Sequence, residues 1–310
     1  MKLVFFDEFV PGLLKGDKVV NITEPLGGLK STNGQETLQN IMENFDSLKS
    51  ELDSYAKKNE GRPLSEVRLR QPVPKPQKIL CMIGNYKEGV KRDIRPIDTF
   101  LKSPETIIGP NDTVVLPKRE HPIFHHEAEL GLVIGKKAHD VTQDNAMDHI
   151  FGYTAFVDVS ARGGIGKAGA GAGSFFGKSY ATFGPIGPCI VTKDEISDPQ
   201  MMAIKLWVNG QLRHDYNTDD MEHPIKEIIE FTSSVTTLMP GDIIACGTNH
   251  QGLGPLQEGD SATIQISGIG EFSFKVSDPL KRNWTKEVDE IAARRVREGE
   301  SPLANQYPSA

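Results

Sequence analysis

Glu127 and Glu129 stand two apart in HHEAELGLVIG, and Asp158 sits in YTAFVDVS among Phe156, Val157 and Val159. Both segments have the β-branched and apolar content of strands, and residues two apart on a strand emerge on one face. Such a pair also describes an ordinary wet sheet face, so Glu127 and Glu129 alone do not make a site. Asp158 sharpens the reading, because an ionised carboxylate in so apolar a strand is costly unless a cation meets it. Three carboxylates from two neighbouring strands suit Mg²⁺ or Mn²⁺, hard cations that take oxygen ligands. Such a site leaves about three of six octahedral positions for water and a chelating substrate.

The stretch GGIGKAGAGAGSFFGKSYATFGPIGP, residues 163–188, carries a different suggestion. Gly164, Gly166 and Gly169 spell G-x-G-x-x-G, and Ala172–Ser179 is one glycine short of a P-loop. Both motifs need a helix directly behind them to aim backbone N–H groups at phosphate. AGAGS follows the first, and YATFGPIGP, with Pro185 and Pro188, follows the second. The expectation is that no nucleotide binds here.

The chain of 310 residues carries a net charge of −7, which recommends neither nucleic acid nor an anionic membrane as partner. In MKLVFFDEFV the apolar run stops at Asp7, short of the roughly 7–15 residues of a signal-peptide core. No apolar run approaches the ~18 needed to cross a bilayer. Cys81, Cys189 and Cys246 are far apart in apolar contexts, as expected of buried, reduced thiols in a cytoplasmic protein.

Residues 1–70 read as a small N-terminal domain. Its clearest element is a helix opened by Thr32-x-x-Gln35, with Leu38, Ile41, Phe45, Leu48, Leu52 and Tyr55 on one face. RQPVPKPQ supplies a proline-rich linker over residues 71–77. From 78 to 280 the texture is short strands between Gly and Pro, with helices expected near 144–151 and 224–238. Asn209-Gly210 marks a type I′ hairpin. This is not the regular strand–helix alternation of a doubly wound sheet, so the fold class is α+β, mostly β. Residues 281–310 form a charged C-terminal extension, expected at the surface or at a subunit contact.

Eight stretches in register resemble the fumarylacetoacetate hydrolase family, with a catalytic domain of the acylpyruvase type. They are I-G-N-Y (83–86), E-A-E-L (127–130), D-V-S-A-R (158–162), F-G-K-S (176–179), T-F-G-P-I-G-P (182–188), V-N-G-x-L-R (208–213), T-D-D-M (218–221) and G-D-I-I-x-x-G-T (241–248). The resemblance implies a mixed β-sandwich roll, usually a homodimer, with a divalent metal on Glu127, Glu129 and Asp158. It places Lys178 beside the metal and Thr248 at the substrate carboxylate, and Tyr86 and Arg92 join Thr248 as candidate substrate-binding residues. The substrates it implies are anionic 2-oxo acids or 1,3-dicarbonyls. A metal chelated by such a substrate polarises the carbonyl and stabilises an enolate-like leaving group. Lys178 can then stabilise that charge or shuttle a proton. Arg162 either orients the carboxylates or meets an anionic substrate end.

The match breaks at the lid. Hydrolytic members resemble G-x-N-Y-x-x-H-x-x-E, a His/Glu pair that activates water, whereas here Gly89 and Arg92 occupy those places. Ile165 stands where many relatives have Gln, and Asn249-His250 follows Gly247-Thr248 where the usual pattern is G-T-P. Glu88, Asp93, His214 and His250 are candidate substitute bases, with His250 entered as catalytic. His125 reads as a supporting group. His121, His139, His149 and His223 read as solvated. The expected activity is metal-dependent hydrolytic C–C cleavage. The alternatives are oxaloacetate-type decarboxylation or keto–enol tautomerisation, which need no activated water, and a member that binds ligand without turnover.

Overall fold

The structure is a computed structural model, and it describes residues 1–163 and 173–300. Three strands, Ala128–Ile134, Ile150–Val157 and Gly184–Thr192, are buried along their whole length. A strand buried on both faces reads as a continuous apolar run, and these three form the middle of the main sheet. Ala128–Ile134 lies antiparallel to Ile150–Val157 on one side and to Ile243–Ala245 on the other. Ile243–Ala245 pairs in parallel with Ile79–Met82, which continues antiparallel to Thr99–Lys102.

At the other edge, Lys2–Phe6 adds to Gly184–Thr192 with Leu3 opposite Ile190. The strands Val10–Lys15 and Lys18–Asn21 extend the same sheet outward. The N-terminal residues therefore share hydrogen bonds with the main sheet. The proline-rich stretch packs down as well, with Val73 buried and the Lys75 amide donating to Gln35 Oε1.

A second sheet of five strands is ordered Gln211–Asn217, Ala203–Val208, Ser261–Ile266, Gly270–Ser277 and Thr113–Val115. Burial alternates along Ala203–Val208 and Ser261–Ile266, so this sheet turns one face inward and one to solvent. Its Ile204, Leu206, Ile264 and Phe274 join Leu130, Leu132, Tyr153 and Ala155 of the main sheet in one core. The result is the mixed, mostly-β sandwich that the family resemblance implies, with open sheets. Asn209 and Gly210 both have positive φ (51° and 79°), as a type I′ hairpin requires.

The single helix expected over 32–55 is two helices, Gly34–Glu43 and Phe45–Lys58, meeting at Asn44. The cap is Asn33, whose side chain accepts from the Glu36 amide, while Glu36 reaches back to Thr32. The apolar face is otherwise as expected: Leu38, Ile41 and Leu52 are buried, and Phe45 meets Phe151 edge-on at 5.0 Å. The C-terminal helix Glu290–Arg297 lies at the surface with one face packed down, burying Ala292, Ala293 and Val296.

Candidate metal centre and active site

The site forms where the strand Ala128–Ile134 begins and Ile150–Val157 ends. Glu127 lies just before the first strand and Asp158 just after the second, and the Asp158 amide donates to the Glu127 carbonyl at 2.9 Å. Glu129, opposite Phe156 in the ladder, points to the same place. One oxygen from each of Glu127, Glu129 and Asp158 lies within 4.8 Å of the others, and all three residues are buried. Three buried carboxylates so close repel one another: burial, Asp158 and Glu127 push the Glu129 carboxyl well up from the usual range. A dication relieves that repulsion, so this donor set fits a hard divalent metal.

Lys178 closes the short helix Gly173–Lys178, and its Nζ lies 2.7 Å from both Glu127 Oε2 and Asp158 Oδ2. Those two carboxylates outweigh its burial and raise its pKa, so it is an ammonium. The residues after Ser179 run through a turn into the strand Gly184–Thr192, as the prolines require. Gly164, Gly166, Gly169 and Ile165 lie outside the described residues.

Arg162 donates through Nη2 to Glu127 Oε1 and through Nε to His125 Nδ1 at 3.1 Å. His125 must accept at Nδ1, so its proton sits on Nε2 and faces Asp289 Oδ2 at 3.1 Å. Burial drops its pKa to about 4, which keeps the ring neutral. Despite its burial, Glu127 is held well down by Lys178, Arg162 and His250. Glu129 Oε2 accepts the Gly247 amide at 2.6 Å. Gly247 has φ 89°, a conformation glycine adopts freely.

Of the candidate bases, two come together. His250 Nδ1 lies 2.7 Å from Glu88 Oε1, and both residues are buried. The Glu88 amide is held by Asp220 Oδ2, and its carbonyl by Gln251 Nε2. His214 pairs instead with His126, Nε2 to Nδ1 at 3.0 Å, and burial lowers its pKa to about 4. Asp93 is exposed. Thr248 is buried with Oγ1 3.3 Å from Tyr216 OH, and Tyr216 bonds the Ala128 carbonyl between the two glutamates. Tyr86 is buried edge-on to Tyr216 at 5.0 Å, its hydroxyl unpartnered among the described residues.

Arg92 is engaged within the lid. It bonds the carbonyls of Tyr86 and Lys87 and pairs with Glu222 at 2.7 Å, and Arg95 pairs with the other oxygen of Glu222 at 3.1 Å. His223 and His121 are not solvated as the sequence suggested. His223 is buried between Glu227 and the Arg95 carbonyl, and His121 packs on Phe124 and bonds Tyr180 OH. Lys102 carries no sequence signal beyond being a lysine at the end of an apolar strand, yet it sits fully buried against Asp158 Oδ1 at 2.7 Å.

A family model described as the fumarylacetoacetate (FAA) hydrolase C-terminal domain matches residues 78–277, the span that builds this site. The chain belongs to the fumarylacetoacetate hydrolase family. Among similar family members is the maleylpyruvate hydrolase of Aquipseudomonas alcaligenes, 31% identical over 89% of this chain and 99% of that one. The oxaloacetate tautomerase of Bacillus subtilis is 38% identical over 69% of this chain and 74% of that protein. A solved maleylpyruvate hydrolase from a Sphingobium species, in complex with manganese(II) and pyruvate, superposes with a TM-score of 0.79. It is 35% identical over 90% of this chain and 99% of that one. These family members are enzymes, and the buried carboxylate triad is the feature of this chain suited to the metal.

Proposed function

We propose that this protein is a Mn²⁺- or Mg²⁺-dependent C–C hydrolase that cleaves an anionic acylpyruvate into pyruvate and a carboxylic acid. The observation that carries the proposal is the buried Glu88–His250 pair beside the triad, a base in a site whose lid lacks one at Gly89 and Arg92. The two hydrolases that align along nearly the whole chain support the same reading.

A dication held by Glu127, Glu129 and Asp158 would polarise the 2-oxo group of a chelating substrate. Arg162 and the Gly247 amide hold two of those carboxylates in place. With Nδ1 committed to Glu88, His250 has Nε2 to take a proton from water. The water oxygen adds to the acyl carbon, and the bond from that carbon to the pyruvyl methylene breaks. The electron pair passes to the pyruvyl half, and the Lys178 ammonium returns a proton to the methylene carbon. The acyl half leaves as a carboxylic acid, its proton restores the Lys178 ammonium, and the proton on His250 passes to solvent, so one proton is released in all. In this reading Thr248 and Tyr86 contact the substrate, and Arg92 holds the lid through Glu222. A homodimer belongs to the same proposal.

Tautomerisation of an oxaloacetate-like acid is the second reading. It is favoured by Lys178, a proton carrier that needs no activated water, sitting between Glu127 and Asp158. The deciding experiment assays maleylpyruvate-type acylpyruvates with Mn²⁺, with and without chelator. Metal-dependent pyruvate release is expected. Its absence, with oxaloacetate tautomerisation present, would leave the second reading standing.

A further inference from the structure

Two lysines meet Asp158, one on each oxygen. Lys178 takes Oδ2 and lies partly open at the site, whereas the Lys102 side chain takes Oδ1 with no exposure at all. An ammonium has three hydrogens to donate. Lys102 places them on Asp158 Oδ1 at 2.7 Å, the Val159 carbonyl at 3.5 Å and the Lys178 carbonyl. All three donors are used within the protein, so Lys102 has none left for substrate. A buried cation beside a site built for a dication also opposes metal binding by simple repulsion. Its presence calls for a compensating role, and its partners indicate which one.

Lys102 ends the strand Thr99–Lys102, which begins where the lid segment ends, and its register partner Ile79 lies on the strand that leads into the lid. The next residue repeats the tie, because the Ser103 amide donates to Ser179 Oγ at 3.1 Å. The end of the short helix that carries Lys178 is thus fastened to the base of the lid at two successive residues. Asp158 is fastened there through Oδ1, which turns Oδ2 toward Lys178 Nζ and the other two carboxylates.

We infer that Lys102 is a positioning residue: it fixes the Asp158 carboxylate and the Lys178 backbone relative to the lid, so that Lys178 delivers its proton from one place. The inference rests on the reading of Lys178 as the proton carrier. Its charge and its hydrogen bonds then have opposite consequences, and the two can be measured apart.

The test is Lys102→Met, with Mn²⁺ affinity measured by electron paramagnetic resonance and turnover measured at saturating Mn²⁺. Removing the charge should leave Mn²⁺ binding at least as tight as in the wild type. Turnover should nevertheless fall about 10–100-fold, the scale for losing a group that orients a metal site. Lys102→Gln, which keeps one donor, should fall less, and it serves in place of the Met variant if that one does not fold. Turnover is read on whichever of acylpyruvate cleavage and oxaloacetate tautomerisation the wild type performs, since both use Lys178. A wild type without hydrolysis therefore sinks the substrate assignment and leaves Lys102 testable. Unchanged turnover in the folded variant, or weaker Mn²⁺ binding, would overturn the inference.

Discussion

One oxygen of Glu88 receives two hydrogen bonds from His250, from the ring Nδ1 at 2.7 Å and from the backbone amide at 2.6 Å. The pair joins the lid segment to the loop whose Gly247 amide holds Glu129 and whose Thr248 meets Tyr216, so all of these groups share one local geometry. Glu88 stays ionised because His250 and Arg95 offset the cost of burying it. A carboxylate so placed fixes the imidazole tautomer and, in the proposed mechanism, stabilises the imidazolium formed when His250 takes a proton.

Metal uptake is expected to depend on Asp158. Asp158→Asn removes one anionic ligand and leaves Lys102 and Lys178 facing a neutral amide. Mn²⁺ affinity measured by electron paramagnetic resonance should fall by at least ~10-fold, the scale for perturbing a metal site. Wild-type affinity in this variant would contradict the triad as the metal centre.

In the proposed mechanism Lys178 serves both reactions. Lys178→Met should bind Mn²⁺ while losing acylpyruvate cleavage and oxaloacetate tautomerisation alike, each by ~10²–10⁴ if it is the proton carrier. Loss of one reaction alone would assign Lys178 a narrower part.

Acid should destabilise the metal-free protein well above carboxylate pH. Burial lowers His125 and His214 to about 4. Above ~6.5, the unperturbed value, both are neutral folded or unfolded and contribute no pH dependence. Below it the unfolded chain takes up protons that the folded chain does not, so stability falls as pH drops toward 4. At pH 5 the loss is at most about 2 kcal/mol for each histidine. His126, lowered in the same direction by burial, adds to it. Glu129, pushed well up by burial, Asp158 and Glu127, works in the opposite sense. Urea unfolding in chelator at pH 7.5 and pH 5 is therefore measured in Glu129→Gln, where equal stabilities would be inconsistent with buried neutral histidines.

The lid is clasped by Glu222, which pairs with Arg92 and Arg95. Glu222→Ala should release the segment without unfolding the sheets, because both arginines can turn to solvent. Faster trypsin cleavage at Arg92 or Arg95 and a raised KM are expected. An unchanged digestion rate would show that the clasp does not hold the lid.

What the sequence made legible was local. Glu127 and Glu129 share a strand face through a spacing of two, and Asp158 declares itself by its apolar neighbours. The three central strands were legible as strands from their β-branched and apolar content, while their burial on both faces emerged only from the packed sheet. What stayed hidden depends on chain segments meeting at long range. Glu88 and His250 are 162 residues apart, and His125 and Asp289 are 164 apart. No periodicity reports such a meeting, although His250 stood out as a departure from G-T-P. Lys102 was invisible because a lysine ending a strand normally reaches solvent, and only the packed site shows where its ammonium goes. The break at Asn44 was equally silent, since the apolar face runs on at helical spacing through both helices.

The most direct measurement compares two reactions in one variant. Acylpyruvate hydrolysis and oxaloacetate tautomerisation are assayed at saturating Mn²⁺ in the wild type and in His250→Ala. If the Glu88–His250 pair is the hydrolytic base, hydrolysis falls by ~10²–10⁴ while any tautomerisation that Lys178 supports stays near its wild-type rate. Hydrolysis that survives in His250→Ala would contradict the account.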